Sequence, residues 1–340
     1  MFDRFSLLDL NVRVLTAPMA GGPSTPELAA AVTNAGGLGF LSGGLSSAED
    51  LADDILKARK LTSGPLGVNL SVPQQVRSTE EQLRAFEAAL RPEAERYGVA
   101  IGQPRHDDDE WDAKLDVVCD LRPEAVSFTF GSPSKEQCHR LKGVGILTLA
   151  TVTMVREAMI ALSCGVDALV VQGPDAGGHR ATFDPLAEPP HDSLEELVSV
   201  LAYCFDYPVV AAGGVATSRD VSRLRDAGAA AVQLGTAFLL ADEAGTNPVY
   251  RAALRDRQFT KTVVTRAFTG RYGRVLRNRF VEEHKREAIF GFPEVAMMTA
   301  PIQAAAIKLG DPHGAALWAG AAFHRAKSAP AADIIRDLAD

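Results

Sequence analysis

Residues Ala168 to Arg180 read ALVVQGPDAGGHR, and this stretch decides the fold. Its first four residues form a short apolar run that ends in two β-branched residues, which is typical of a fully buried strand. Gln172 then places an amide at the strand end, and Gly177 and Gly178 let the backbone approach a ligand closely. His179 follows as an ionisable ring. A histidine or a glycine pair alone is ordinary, but this combination predicts an active-site loop.

The composition is that of an ordinary globular protein. The chain has 340 residues, of which 46% are hydrophobic and 23% are charged, so it can bury the core of one large domain or two. Its net charge of -8 gives no general attraction for nucleic acid or anionic lipid. We therefore expect a small-molecule partner, with no nucleic acid and no membrane surface.

The cysteines and the N-terminus indicate a cytoplasmic protein. The four cysteines lie far apart with no CxxC or Cys/His spacing, which predicts neither a disulfide framework nor a zinc site. Residues 1–22 contain acidic side chains and no apolar run long enough for a signal peptide or a membrane span. We expect no bound metal and no export.

Strands and helices alternate eight times along the chain. The strands are predicted at residues 12–19, 38–41, 66–72, 125–130, 144–150, 168–171, 208–212 and 231–234. Three joints, at Gly36, Gly165 and Gly228, repeat a helix end, a glycine and a small-residue strand. Short buried strands joined in this way indicate a parallel sheet, and eight of them predict a closed (β/α)8 TIM barrel in the α/β class. An open doubly wound sheet is the alternative, although no G-x-G-x-x-G follows the first strand.

Ligands of such a barrel meet the C-terminal ends of its strands. The last two strands end in AAGG at residues 211–214 and QLGT at residues 233–236, where free backbone N–H groups can hold a phosphate. These segments can also be ordinary βα turns. The other strand ends carry Pro18-Met19, Asn69, Thr151 and Gln172, with no carboxylate pair and no lysine. Metal-assisted and Schiff-base chemistry are disfavoured, and a planar phosphorylated cofactor is favoured.

Five motifs together resemble one family. They are APMAGG at residues 17–22, GVNL at 67–70, VQGPDAGGHR at 171–180, AAGGV at 211–215 and QLGT at 233–236. In this order they resemble the nitronate monooxygenase family, formerly called 2-nitropropane dioxygenases, whose members are FMN-dependent TIM barrels. The resemblance runs from about residue 12 to about residue 325.

The resemblance implies that His179 is catalytic and that FMN is bound by residues from several strand ends. The implied FMN-binding residues are Ala17, Pro18, Met19, Asn69, Gln172, Gly177, Gly214, Gln233, Leu234, Gly235 and Thr236. The first three would lie against the isoalloxazine, Asn69 and Gln172 would hydrogen-bond it, and the last five would hold the phosphate end. Thr151 is a weaker candidate, placed by its position only.

The tail also resembles that family, in residues 265–271 and 277–280, where the chain folds back over the site. We expect residues 1–245 to form the FMN-binding barrel. Residues 246–340 are expected to complete it with a helical extension that packs over the barrel mouth. Residues 261–279 hold six basic side chains and no acidic one. They could help to hold anionic ligands, or pair with the acidic barrel surface or with a second subunit of a homodimer.

The implied function is oxidation of alkyl nitronates by FMN with O2. His179 would orient the nitro group, or act as base if a neutral nitroalkane is accepted, since a histidine titrates near neutrality. An NAD(P)H-dependent FMN reductase acting on a quinone or an enoyl thioester is the main alternative. A flavin-binding protein without activity and a flavin-free phosphosugar enzyme are further ones. Ala181, Phe292 and Ala321 depart from residues common in the family, which leaves the substrate open.

Overall fold

Eight parallel strands form the centre of the computed structural model, which describes residues 4–339. Numbered in chain order, they are β1 (Val14–Thr16), β2 (Gly39–Ser42), β3 (Leu66–Ser71), β4 (Ala125–Thr129), β5 (Leu147–Val152), β6 (Ala168–Gln172), β8 (Val209–Ala212) and β9 (Ala231–Leu234). The neighbour order is β1-β9-β8-β6-β5-β4-β3-β2, and a parallel bridge between Leu15 and Leu38 joins the two ends. The predicted TIM barrel is confirmed, and the open doubly wound sheet is excluded.

Alternate strand residues point into and out of the barrel. One buried apolar cluster takes Leu15, Leu149 and Val170 from three of the strands and forms the barrel interior. A second cluster takes the intervening residues, such as Val14 and Val171, and packs against the outer helices. Because both faces are buried, the strands read as continuous apolar runs in the sequence.

The helices that follow the strands surround the barrel, except Glu80–Tyr97, which packs against the C-terminal segment. They are α1 (Pro26–Asn34), α2 (Ala48–Leu61), α3 (Glu80–Tyr97), α4 (Trp111–Leu121), α5 (Lys135–Gly143), α6 (Val155–Cys164), α7 (Leu194–Cys204) and α8 (Ser218–Asp226). Most begin at a serine or threonine whose side chain accepts a hydrogen bond from the first turn, as at Ser47 and Thr217. Gly36, Gly165 and Gly228 have φ of +93°, +95° and +107°, so the left-handed glycine joints are confirmed.

The C-terminal segment lies over the mouth of the barrel and contains a hairpin that was not expected. Its elements are α9 (Pro248–Arg255), β10 (Thr262–Thr265), β11 (Gly273–Leu276), α10 (Arg279–His284), α11 (Glu294–Lys308) and α12 (Ala331–Ala339). Strands β10 and β11 pair antiparallel, and β11 pairs with the two-residue strand β7 (Gly178–His179). Helix α12 packs on α1 and α8, in the place of the eighth barrel helix. Among residues 4–339, no helix is both long and apolar enough to span a membrane.

Candidate functional site

A cavity of about 980 Å³ lies at the C-terminal ends of the barrel strands, beneath the C-terminal segment. This volume is at the upper end of the range found for small-molecule and cofactor pockets. Every residue named from the sequence as catalytic or FMN-binding lines it, and so does Thr151. The structure therefore brings together residues that are spread from Ala17 to Thr236.

One end of the cavity is built from backbone. Gly213 and Gly214 have φ of +115° and +72°, a conformation that glycine adopts without strain. Among residues 4–339, no acceptor is hydrogen-bonded by the backbone N–H groups of Gly214, Val215, Gly235 or Thr236. Unpaired N–H groups in turns after strands bind anions, so this end suits a phosphate. We call it the phosphate end.

The middle of the cavity is lined by neutral amides. The Asn69 side-chain nitrogen donates to the Ser127 hydroxyl at 2.9 Å and to the Thr129 hydroxyl at 3.0 Å, which leaves its oxygen as an acceptor toward the cavity. The Gln233 side chain donates to the Thr16 carbonyl at 3.2 Å. Such fixed amides suit a ligand that has both carbonyl and N–H edges.

Gln172 holds the loop that follows β6. Its amide nitrogen donates to the His179 carbonyl at 2.9 Å, and its oxygen accepts from the Ala181 N–H at 3.0 Å. The side chain was expected to bind a flavin directly. In the structure it fixes the position of His179 and keeps one amide N–H for a ligand.

His179 stands at the other end of the cavity among aromatic rings. Its Nε2 lies 2.8 Å from the Thr269 hydroxyl, and its ring centroid lies 4.7 Å from that of Trp318, 5.4 Å from Phe292 and 5.7 Å from Phe130. Burial, together with the positive charge of Arg271, lowers the pKa of His179 to about 3. The expectation of a ring that titrates near neutrality is therefore wrong, because the imidazole stays neutral at cellular pH.

The family is settled by comparison with known proteins. A family model described as nitronate monooxygenase matches residues 6–340. This chain belongs to the nitronate monooxygenase family. The expectation from the five motifs is thus confirmed, and the chain is an enzyme of an oxidoreductase family.

Individual relatives agree with this assignment. The chain is 36% identical to the nitronate monooxygenase of Pseudomonas aeruginosa, over 100% of this chain and 99% of that protein. A solved structure of nitroalkane oxidase from Streptomyces ansochromogenes has a TM-score of 0.94 and 40% identity, over 98% of this chain and 96% of the other. The solved structure of FabK from Thermotoga maritima has a TM-score of 0.76 and 26% identity, over 98% of this chain and 93% of the other.

Two buried arginines hold the His179 loop of this nitronate monooxygenase family member. Arg180 and Arg271 are each 1% exposed, and burial lowers their pKa values to about 10 and about 9. The Arg271 guanidinium donates to the carbonyls of Arg180 and Thr182 and to the Gln74 side chain, and it lies 4.0 Å above the Phe130 ring centroid. These contacts tie the C-terminal segment to the loop.

None of the six cationic side chains of the basic segment 261–279 lines the cavity, although Thr269 of the same segment does. Arg274 donates to the Pro174 carbonyl at 2.8 Å, Arg277 pairs with Glu282, and Arg279 pairs with Glu93 and Glu283. Within residues 4–339 these arginines bind groups of the chain itself. The geometry therefore does not support the suggestion that they hold anionic ligands.

Gly177 is required for a reason that differs from the expected one. A Cβ atom there would lie 2.5 Å from the Gly320 nitrogen and 2.6 Å from the Ala319 carbonyl carbon. The close approach at Gly177 is therefore made by the backbone of the C-terminal segment. Gly178, with φ of +79°, has no such neighbour within 4 Å.

The acidic run 107–110 precedes α4, which starts at Trp111. The run lines the cavity. The carboxylates of Asp109 and Glu110 accept from the backbone N–H groups of Leu45 and Ala48 at 3.2 and 2.9 Å. They thereby tie this loop to the start of α2.

Several lining residues were not identified as site residues from the sequence. Phe130, Thr269, Trp318 and Arg325 all line the cavity. Phe130 has φ of +74°, which is unfavourable for a residue with a side chain, and the Gln74 amide donates to its carbonyl at 3.0 Å. The positions of these four lining residues depend on contacts between distant segments, and no local sequence pattern marks the residues.

Proposed function

We propose that this chain is an FMN-dependent nitronate monooxygenase that oxidises alkyl nitronates with O2. The observation that supports this most is the phosphate end, whose unpaired N–H groups share one cavity with neutral amides and His179. When bound, FMN supplies the electron transfer and the reaction with O2. The protein supplies binding, orientation and exclusion of water.

The residues present fit this cofactor. The N–H groups of Gly214 and residues 235–236 would hold the phosphate oxygens. Ala17, Pro18 and Met19 offer a flat apolar surface, and Asn69 offers a fixed acceptor. Gly177, Gln172 and residues 233–234 complete the set that we assign to FMN.

His179 would bind the nitro group as a neutral hydrogen-bond donor. The single hydroxyl proton of Thr269 has two nearby acceptors, Nε2 of His179 at 2.8 Å and the Arg271 carbonyl at 3.3 Å. We assign it to the shorter contact, which places the ring proton on Nδ1. A proton on Nδ1 can donate to a nitronate oxygen.

The same surroundings make His179 a weak base. A ring whose pKa lies at about 3 removes an α-proton from a neutral nitroalkane poorly. We therefore propose that the substrate is taken as the nitronate, which is already deprotonated. His179 then needs no change of charge between pH 5 and pH 8.

Spectroscopy and two reactions test the proposal. The purified protein should be yellow with a flavin spectrum, and it should consume O2 when an alkyl nitronate is added. Turnover should be much slower with the parent nitroalkane, and turnover of the nitronate should show no ionisation of His179 between pH 5 and pH 8, because its pKa lies at about 3.

Other outcomes would identify the alternatives. Rapid bleaching of the flavin by NAD(P)H without O2, and no reaction with a nitronate, would indicate the reductase. A yellow protein that reacts with neither would indicate a binding protein. A colourless protein that cannot be reconstituted with FMN would contradict the proposal as a whole.

A further inference from the structure

A turn near the C-terminus packs against the phosphate end. The single helical turn Phe323–Arg325 contacts the turn Thr236–Phe238, which follows β9. Just before it, the Gly320 N–H donates to the Thr236 hydroxyl at 2.9 Å, and the Ala321 N–H donates to the Asp175 carbonyl at 3.0 Å. These bonds hold residues 320–325 beside the proposed phosphate site.

Arg325 is a positively charged residue at the cavity that pairs with no other group in residues 4–339. Arg325 is exposed and is one of the residues that line the cavity, and within residues 4–339 its guanidinium makes no ion pair and no hydrogen bond. Arg105 also lines the cavity, but it pairs with Asp107 at 2.8 Å. Lys327, two residues after Arg325, pairs with Asp337 and does not line the cavity.

We propose that Arg325 binds the phosphate of FMN, adding a cation to the backbone N–H groups of the phosphate end. This inference rests on the proposed function. A phosphate monoester carries close to two negative charges at neutral pH, and a guanidinium binds it through paired, charge-assisted hydrogen bonds. The backbone N–H groups alone would recognise the shape of the phosphate and leave most of its charge unbalanced.

The test compares FMN with riboflavin, which has the same ring and ribityl chain without the phosphate. Flavin-free full-length protein is titrated with each ligand, and the quenching of flavin fluorescence gives the dissociation constants. We expect Arg325→Gln to weaken FMN binding about tenfold at low salt, which is typical for loss of one charge-assisted contact. Riboflavin binding should change less than about twofold, since no phosphate contact is lost.

Two further variants control the experiment. Lys327→Gln removes a positive charge from the same part of the chain, and it should leave the preference for FMN over riboflavin unchanged. Arg325→Lys keeps the charge and should restore part of the preference. Increasing salt should reduce the preference of the wild-type protein more than that of Arg325→Gln.

The remaining outcomes overturn the inference in distinguishable ways. Equal loss of FMN and riboflavin affinity in Arg325→Gln would show a general effect on the fold. Unchanged affinity for both would show that Arg325 does not contact the phosphate. Wild-type protein that binds neither flavin would overturn the proposed function, and this inference with it.

Discussion

The two ends of the cavity are built in different ways. The phosphate end consists of backbone N–H groups in turns that directly follow β8 and β9, so each group is placed by its own strand. The His179 end consists of side chains from the loop after β6, from the residue after β4 and from the C-terminal segment. Barrel geometry therefore fixes the first end, while long-range contacts fix the second.

This difference has a consequence for substitutions. Changes at the His179 end should alter the neutral imidazole and the loop that carries it, without affecting recognition of a phosphate. Changes at the phosphate end should alter recognition of a phosphate without affecting the imidazole or its loop. Three variants test whether the two ends are independent in this way.

The largest effect is expected from Arg271→Met. It leaves the buried carbonyls of Arg180 and Thr182 without a donor, so we expect a loss of about 2–4 kcal/mol in the free energy of unfolding. Nitronate turnover should fall as well, because the His179 loop loses its support. Urea unfolding and oxygen consumption measure the two effects.

Arg277→Met is the matched control, because Arg277 lies in the same basic segment but pairs with Glu282 at the surface. It should change neither stability nor turnover measurably. If Arg271→Met also abolished the preference for FMN over riboflavin, the two ends would not be independent.

An intermediate effect is expected from Thr269→Val, which removes the hydroxyl beside Nε2 of His179. Without this bond the proton is no longer directed to Nδ1, and nitronate turnover should fall about tenfold, equivalent to about 1.4 kcal/mol. FMN affinity should stay unchanged. Thr269→Ser keeps the hydroxyl and should restore most of the turnover; if it were as impaired as Thr269→Val, the hydrogen bond would not be the cause.

The smallest effect is expected from Gly214→Ala at the phosphate end. Its φ of +72° is strained for alanine, and the new Cβ would lie 3.0 Å from the Asp175 Cβ. We expect a loss of about 1 kcal/mol in stability and a several-fold weaker affinity for FMN.

Gly98→Ala separates these two effects, because Gly98 has φ of +64° but no atom within 4 Å of the new Cβ. Gly98→Ala should lower the free energy of unfolding about as much as Gly214→Ala does, without changing FMN binding. If both variants affected FMN binding alike, the phosphate end would have no special role.

The sequence predicted the barrel and the glycine turns after its last two strands better than the surroundings of His179. Apolar strands and glycine joints are local signals, and the structure confirms the eight strands and the three left-handed glycines. The glycine turns after the last two strands follow from the same local pattern. Both features depend mainly on residues close together in the chain.

The surroundings of His179 could not be predicted because they are not local. Thr269 lies 90 positions after His179, and the pairing of β7 with β11 joins a two-residue strand to a distant hairpin. The lowered pKa follows from this enclosure, so it was missed together with it. Gly177 was recognised as important, but the backbone that it accommodates belongs to residues 319–320.

Phe130 has a backbone conformation that costs an ordinary residue about 1–2 kcal/mol compared with a right-handed one. A glycine at this position would adopt the same conformation without that cost. The ring at this position contacts both the Arg271 guanidinium and the His179 imidazole, whose pKa is lowered by burial and by that cation. The location of this one ring is therefore a compromise in which its contacts with these two groups outweigh the local backbone preference.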